Sequence, residues 1–501
     1  MVINMKTSPC PKLALLAITL LSLVVGAAAQ IPDGDRLPYS GGLLVGRAIA
    51  SGKMERPGHS ALAASATRQL TVNCSPQPCT LPNIQISPTP DTNPRNETAI
   101  VTNPSNSQQL LSSANDYSCA TLIGLYTSTN GGTSFTKTCM KAAPGYTGAG
   151  EPSVAYDLQS NKYIAGIQLD SLGNGAVAIQ KNSGAATIVV PALFSGGSVD
   201  KPWLQVDTNG SSPHKNHLYI SATQFDPSND SEITVSTSTN GGAKFTTVPV
   251  DAEQIYPIID QFSDLAIAKN GTIYVSWMRC TANSVQSDCG HTVATLLISS
   301  STDGGKTWSA ETTIATPTLA KDSCGEFFGC LPNTHERVSE IPVIAIDNST
   351  GTYAGTIYAA FYTLLNTYME EEVAHSMDGG ITWSKPVRVT PTSDKHDQFF
   401  NWIHVSSKGV VGVTWLDRRN DPANIDYEAY ASFSTNGGVT FSTNKNLATA
   451  ASNPLDDGFN GYFMGDYTGN SWYGTKLYMA ACDTRNGATC QDELYGYYNA
   501  P

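Results

Sequence analysis

Arginine and acidic residues recur at two matching places in the last hundred residues of the chain. The segment WLDRRNDPANIDYEAY begins at Trp415, and the segment ACDTRNGATCQDELYGY begins at Ala481. A guanidinium group donates two parallel hydrogen bonds to a carboxylate. Each arginine could therefore clamp an aspartate of its own loop, or Arg418 and Arg485 could grip the carboxylate of a ligand.

Acidic side chains also stand at the start of several apolar, β-branched segments. They are Glu151, Asp200, Asp260, Glu340, Asp397 and Asp466. Tyr467 follows the last of them. A carboxyl group or a phenol that is held against a ligand can act as a general acid, a general base or a nucleophile. These positions are candidates for catalysis if the fold brings them to one place.

Five copies of a ten-residue phrase indicate how these residues are positioned. The copies are TSTNGGTSFT, TSTNGGAKFT, SSTDGGKTWS, HSMDGGITWS and FSTNGGVTFS. Their serines are Ser128, Ser238, Ser301, Ser376 and Ser434, which lie 110, 63, 75 and 58 residues apart. One unit is thus about 60 residues long, and the first gap contains a unit without a copy. Short alternating strands at this period indicate a radial or stacked β architecture.

Each unit contains four strands, which predicts an all-β propeller of four-stranded antiparallel blades. Counting first strands predicts seven blades, with six as the alternative. The first strands start at Thr98, Ser153, Trp203, Phe262, Ile341, Phe400 and Asp466. The last unit has only three strands, so we expect Asn83 to Ser87 to supply its outer strand and to close the ring.

The repeated phrase has a structural role in this interpretation. Its serine and its aspartate or asparagine can bond the backbone of their own turn, its glycines accept positive φ, and its aromatic residue packs beneath. Asparagine replaces aspartate in three copies, which argues against proton transfer. The residues concerned are Ser128, Asn130, Ser238, Asn240, Ser301, Asp303, Trp308, Ser376, Asp378, Trp383, Ser434 and Asn436.

The phrase S-x-D-x-G-x-T-W is the Asp-box, and residues 83–501 resemble the Asp-box (BNR-repeat) propellers of the sialidase superfamily. The resemblance implies a pocket on the face opposite the boxes and the hydrolysis of a glycosidic bond next to an acidic sugar. It implies an arginine triad for the substrate carboxylate, best matched by Arg279, Arg418 and Arg485. Tyr467 would be the nucleophile. Glu340 would assist it, and Asp200 or Asp397 would be the acid.

A long insertion leads up to Glu340 and is expected to form the rim of the pocket. It runs ATPTLAKDSCGEFFGCLPNTHERVSE and carries His335 and Arg337 as candidate ligands of a sugar. Loops of this length in compact domains tend to be functional.

Two other functions remain open from the sequence. One is a non-catalytic propeller that binds glycan or protein, which pairing of Arg418 with Asp426 and of Arg485 with Asp492 would favour. The other is a polysaccharide lyase, which needs a tyrosine and a histidine together. No metal motif or cofactor motif is recognisable, although a structural calcium ion is compatible with the polar loops.

Composition and cysteine usage predict a secreted or periplasmic protein. Residues 1–29 resemble a signal peptide, and residues 30–82 read as an extended or disordered segment. The ten cysteines after Cys10 form close pairs expected to be disulfides: Cys74/Cys79, Cys119/Cys139, Cys280/Cys289, Cys324/Cys330 and Cys482/Cys490. The net charge of −13 disfavours nucleic acid. We expect a carbohydrate partner, no membrane span and a monomer.

Overall fold

The computed structural model describes residues 37–57, 78–87, 93–321, 324–391, 395–485, 487, 489–498 and 500–501. The predicted signal peptide and Cys74 lie outside these residues. No helix within these ranges is long and apolar enough to cross a bilayer. The described chain starts with a helix, α1 (Gly41–Ala50), and two short strands, β1 (Cys79–Thr80) and β2 (Ile84–Gln85).

Seven antiparallel sheets follow, which confirms the predicted seven-bladed propeller. Blade 1 contains β3 (Arg95–Asn103), β4 (Asn106–Asp116), β5 (Ile123–Ser128) and β6 (Thr136–Cys139). Blade 2 contains β7 (Thr147–Tyr156), β8 (Lys162–Leu169), β9 (Gly175–Lys181) and β10 (Ala186–Val190). Blade 3 contains β11 (Ser198–Val206), β12 (Leu218–Phe225), β13 (Ser231–Ser238) and β14 (Thr246–Pro249).

Blades 4 to 7 continue this order. Blade 4 contains β15 (Ile258–Ile267), β16 (Ile273–Thr281), β17 (Thr295–Ser301) and β18 (Thr312–Ala315). Blade 5 contains β19 (Val343–Ile346), β20 (Ile357–Leu365), β21 (Tyr368–Ser376) and β22 (Val387–Arg388). Blade 6 contains β23 (Gln398–Val405), β24 (Val411–Asp417), β25 (Glu428–Ser434) and β26 (Lys445–Asn446). A 3₁₀ turn (Pro454–Asp456) leads to blade 7, with β27 (Gly469–Tyr473), β28 (Lys476–Asp483) and β29 (Gln491–Tyr498).

The ring is closed by the N-terminal strands, as the sequence predicted. Ile84 pairs with Leu494 of β29, and Cys79 pairs with Tyr498 farther along the same strand. Two short strands, instead of one, therefore pair with β29 and cover the outer edge of blade 7.

The five repeated turns share one hydrogen-bond pattern, and each joins the third strand of a blade to the fourth. In the third copy, the Ser301 hydroxyl donates to Asp303 Oδ1 at 2.9 Å and accepts from the Gly305 N–H at 2.9 Å. Equivalent pairs of bonds occur in the other four copies. These turns lie on the face opposite the starts of the first strands, so their role is to hold the turn.

Four of the predicted cysteine pairs are disulfides: Cys119–Cys139, Cys280–Cys289, Cys324–Cys330 and Cys482–Cys490. The prediction of an extended or disordered segment over 30–82 is wrong for residues 41–50, which form α1. Ser40 caps this helix by accepting a hydrogen bond from the Leu43 N–H. Its apolar face, with Val45 and Ala48, packs on a cluster of aromatic side chains.

Candidate functional site

The innermost strands of all seven blades surround a narrow channel of ≈ 260 Å³ on the propeller axis. Five of these strands carry a bulge near their start, where one residue adopts positive φ. These residues are Glu97, Glu151, Lys201, Phe262 and Phe400, with φ between 46° and 61°. A bulge re-aims the side chain at its centre, and positive φ is unfavourable for a residue with a Cβ atom. Three of the five bulges present a charged side chain.

An acidic cluster lies at this end of the axis. Glu97, Glu151 and Asp466 each have a carboxylate oxygen within 4.8 Å of the others, and all three side chains are buried. Burial, together with the charges of Glu151 and Asp466, raises the pKa of Glu97 well above its ordinary value. Burial and the charges of Asp200 and Asp466 raise the pKa of Glu151 to about 8. The cluster therefore holds protons at neutral pH, as a general acid must.

Lys201 and Arg337 provide positive charge beside these acids. The Lys201 ammonium lies 4.4 Å from the ring centre of Trp203 and 4.6 Å from that of Tyr467. Burial lowers the pKa of this lysine although the acids around it act in the opposite direction. Arg337 donates through Nε to Asp466 Oδ1 at 2.7 Å and is fully buried. One arginine of the predicted rim thus reaches the axis.

Tyr467 is packed at the centre of this group. Its hydroxyl donates to the Pro152 carbonyl at 3.0 Å, and its ring meets Trp203 at right angles, with centroids 5.7 Å apart. Burial raises its pKa well above 10, and Glu151 and Glu97 add to that shift through their charge. The phenol is therefore protonated, and a neighbouring carboxylate would have to remove its proton before it could attack a substrate.

The start of α1 covers the acidic cluster from the outer side. The Ser40 N–H donates to Asp200 Oδ2 and the Gly41 N–H donates to Asp466 Oδ2, both at 2.7 Å. A Cβ atom on Gly42 would lie 2.5 Å from Glu151 Oε1 and 2.5 Å from Glu97 Oε2, so a larger residue there would have to displace these two carboxyl groups or α1 itself. The partial positive charge of the helix N-terminus is thereby placed on buried acids.

A cation is a second way to neutralise this cluster. The oxygens of Glu97, Glu151 and Asp466 are hard donors of the kind that calcium and magnesium prefer. In the structure, the Gly41 N–H bonds Asp466, and the charge of Lys201 acts on Glu151 and Glu97.

The structure brings together three of the predicted site residues: Tyr467, Asp200 and Arg337. Asp200 accepts from Ser40, and Arg337 and the Gly41 N–H meet on Asp466. Glu340 precedes the first strand of blade 5, where the charge of Glu371 acts on it, while its neighbour Ser339 donates to Asp466 at 2.8 Å. The largest charges that act on Tyr467 come from Glu151, Glu97, Asp466 and Asp200, which makes Glu151 a stronger candidate than Glu340 to assist Tyr467.

The three arginines of the predicted triad bind carboxylates or carbonyls of the protein itself. Arg279 donates to both oxygens of Asp260, at 2.7 and 2.6 Å. Arg485 donates through Nε to Asp483 Oδ2 at 2.7 Å. Its partner is therefore Asp483 and not Asp492, the partner considered from the sequence. At the end of the second strand, the guanidinium groups of Arg279 and Arg485 are each aimed at an acid of their own blade.

Arg418 anchors the insertion to blade 6. It donates to the Pro332 carbonyl at 2.8 Å and to the Thr334 hydroxyl at 3.2 Å. Its ion-pair partner is Asp397, at 3.7 Å, and not Asp426. Asp397 in turn accepts from the Met369 N–H of blade 5 and from Asn424 of blade 6, which places it in the packing between these two blades.

The insertion lines a groove of ≈ 950 Å³ beside α1. Cys324 to Phe327 form one wall, α1 forms another, and Tyr462 also lines the groove. His335 is exposed and stacks on Tyr462 with ring centroids 5.5 Å apart. His335 therefore lies near the rim that the sequence predicted, away from the acidic cluster contacted by Arg337.

Sequence reasoning missed Glu97 and the cover formed by α1. Glu97 stands one residue before the predicted start of the first blade, at the position that Glu151 occupies in the second. Aligning the bulges NETA and GEPS would have found it. The cover had no comparable signal, because three glycines in ten residues disfavour a helix.

Comparisons with known proteins add little to this geometry. No family model matches the chain, and no curated protein sequence matches it. Among solved structures, the Hadza microbial sialidase Hz136 aligns at 13% identity and a TM-score of 0.43, covering 81% of this chain and 66% of that one. A Penicillium chrysogenum α-L-arabinanase complexed with arabinobiose aligns at 10% identity and 0.44, covering 84% and 99%. At these values neither likeness decides an activity.

Proposed function

We propose that the protein is a glycoside hydrolase that cleaves a glycosidic bond next to an acidic sugar, with its site on the propeller axis. The observation that carries this proposal is the convergence of Glu97, Glu151, Asp466 and Tyr467 in one buried cluster beside Arg337. Carboxyl groups that can donate or accept a proton lie together there, next to the Arg337 guanidinium group, which can bind a carboxylate of a substrate.

Each residue has a definite role in this proposal. Arg337 binds the carboxylate of the substrate through its planar guanidinium group. Tyr467 attacks the anomeric carbon, where a neutral phenol is repelled less by the substrate carboxylate than a carboxylate would be. Glu151 removes the phenol proton in its ionised form, so activity should rise as the pH approaches about 8, where its pKa lies. Asp200 donates a proton to the leaving oxygen, and water then hydrolyses the glycosyl-tyrosine bond with Asp200 as the base.

The experiment is hydrolysis of a panel of fluorogenic glycosides, including a sialoside and a uronide, by full-length protein with α1 displaced as described below. Tyr467→Phe and Glu151→Gln are expected to lower kcat by about 10²–10⁴-fold. Tyr427→Phe is the matched control, because its hydroxyl also donates to a backbone carbonyl, that of Cys482, at 3.2 Å. Glu371→Gln is the control for a buried carboxyl. Equal losses in the controls would contradict the assignment.

The coverage of the axis favours a second function, a non-catalytic propeller that binds acidic glycans. Asp200 and Asp466 already accept hydrogen bonds from residues 40 and 41, as they would from ligand hydroxyl groups. Binding of an acidic sugar that Arg337→Ala abolishes, without turnover of any glycoside, would establish this function instead.

A further inference from the structure

We infer that residues 37–50 act as a built-in occupant of the axial site, which excludes ligand until this segment withdraws. The inference rests on the proposed function for the identity of the ligand, but not for the act of exclusion. Every acid of the cluster is buried beneath this segment.

The segment contacts the site as a polar ligand would. Ser40 donates twice to Asp200, through its N–H at 2.7 Å and its hydroxyl at 2.5 Å. The Tyr39 carbonyl accepts from Arg337 Nη2 at 2.7 Å. The Pro38 carbonyl accepts from Gln261 Nε2 at 3.1 Å. A replacement must therefore offer hydroxyl donors to the two aspartates and an oxygen acceptor to Arg337.

An acidic sugar has this set of groups. Its hydroxyls match the donors of Ser40 and Gly41, and its carboxylate matches the Tyr39 carbonyl with a full charge added. Arg337 gains more from a carboxylate than from an amide oxygen, since charged hydrogen bonds are about twice as strong. The ligand class of the proposed function is thus the one that competes best with the segment.

The segment is separate from the strands that build the ring. No strand pairs with residues 37–57 in the described structure, and blade 7 is closed farther along the chain by β1 and β2. Two sets of apolar contacts hold the segment: Val45 and Ala48 pack in a side cluster with Tyr117, Phe459 and Phe463, and Tyr39 and Leu43 pack in the main core. Withdrawal of the segment would uncover both sets of contacts and the axis, but it would break no strand pairing.

When the segment occupies the site, the apparent affinity for any ligand equals the intrinsic affinity multiplied by the fraction of molecules in which the site is open. Full-length Gly42→Glu tests this, because the new side chain meets Glu97 and Glu151 where even a Cβ atom lies 2.5 Å from their oxygens. Ala50→Glu adds the same charge at the exposed end of α1 and is the matched control.

Two readouts need no substrate: hydrogen exchange of residues 37–50, and labelling of Glu151 and Asp200 by a carbodiimide with glycine ethyl ester. Both are expected to rise at least about tenfold in Gly42→Glu, which corresponds to about 1.4 kcal/mol. A synthetic peptide of sequence LPYSGGLLVGRAIA should restore protection. If Gly42→Glu fails to fold, Gly46→Val serves, since a Cβ there would lie 2.5 Å from the Ala149 Cα.

Two outcomes overturn the inference: unchanged protection of residues 37–50 in both variants, or loss of protection in the blade strands together with α1. The second would make α1 part of the core. Release of α1 with labelling of the acids, but with no glycoside hydrolysed and no N-acetylneuraminic acid bound, would sustain the inference and remove the proposed function.

Discussion

Ser40 contacts Asp200 with both of its donors, and its hydroxyl also accepts from the Leu43 N–H at 3.3 Å. One side chain thus caps α1 and satisfies a buried acid of the axis. The carboxyl group of Asp200 is fully buried, so losing this partner leaves an acceptor without full compensation.

Ser40→Ala should weaken the docking of α1 by about 2 kcal/mol, because it removes a helix cap and a hydrogen bond to a charged group. Amide exchange over residues 41–50 should accelerate about 30-fold. Ser51→Ala, at the exposed end of the same helix, should change the free energy of α1 docking, measured by the same exchange, by less than about 0.5 kcal/mol. Equal effects at both ends would show that the contact with Asp200 contributes nothing.

Arg279→Ala should destabilise the protein by about 3 kcal/mol, because Asp260 is buried and would lose a bidentate partner. Urea unfolding measures the change. Asp260→Asn combined with Arg279→Ala should cost less than the sum of the two single changes. A variant that keeps its stability but loses glycan binding would show that Arg279 serves a ligand, as the sequence analysis expected.

The free energy of unfolding should fall as pH rises from about 4.5 to about 8, through the acids of the axis. Burial raises the pKa of Glu151 to about 8, so the native state keeps a proton that the unfolded chain has released. Each such proton contributes a slope of at most about 1.4 kcal/mol per pH unit.

Glu151→Gln should reduce this slope, because an amide does not titrate. Urea midpoints measured across that pH range decide the matter, with Glu55→Gln on the exposed surface as the control. A slope that is the same in wild type and in Glu151→Gln would mean that Glu151 is ionised in the folded protein.

Asp303→Asn should change stability by less than about 0.5 kcal/mol, because asparagine makes the same bonds in three other turns. Ser301→Ala should cost about 1–2 kcal/mol, since it removes a donor to Asp303 and leaves the Gly305 N–H without its acceptor. Thermal unfolding of the two variants separates these cases. A larger loss for Asp303→Asn would contradict the structural role of the turn.

The fold was predictable because each blade repeats local rules. Ser301, Asp303 and their counterparts act within one turn, so their spacing alone locates the third and fourth strands. The pairing of Ile84 with Leu494 was predictable for a related reason: blade 7 lacked an outer strand, and an alternating apolar segment was available before blade 1.

The site was predictable only in part, because its contacts cross between blades. Tyr467 and Asp200 could be chosen by their place at strand starts, but the choice among Glu97, Glu151 and Glu340 depends on which bulges face each other. The arginines were misjudged for the same reason. Arg279 meets Asp260 on the adjacent strand of its own blade, and also Asp251, which follows the last strand of blade 3. No local sequence pattern around Arg279 indicates that both of these acids lie within hydrogen-bonding distance of its guanidinium group.

Gly41 and Asp466, which are joined by a hydrogen bond, lie 425 residues apart in the chain. Strands β1 and β2 likewise pair only with β29, near the other end. During synthesis, which proceeds at about 5–20 residues per second, the first described residues must wait tens of seconds for their partners. Six blades can form in order meanwhile, and α1 can already reach Asp200 of blade 3 and Ala149 of blade 2, but ring closure and the bond to Asp466 both come last. A nascent chain therefore passes through a stage in which α1 is held by the early blades alone, before Asp466 completes the acidic cluster.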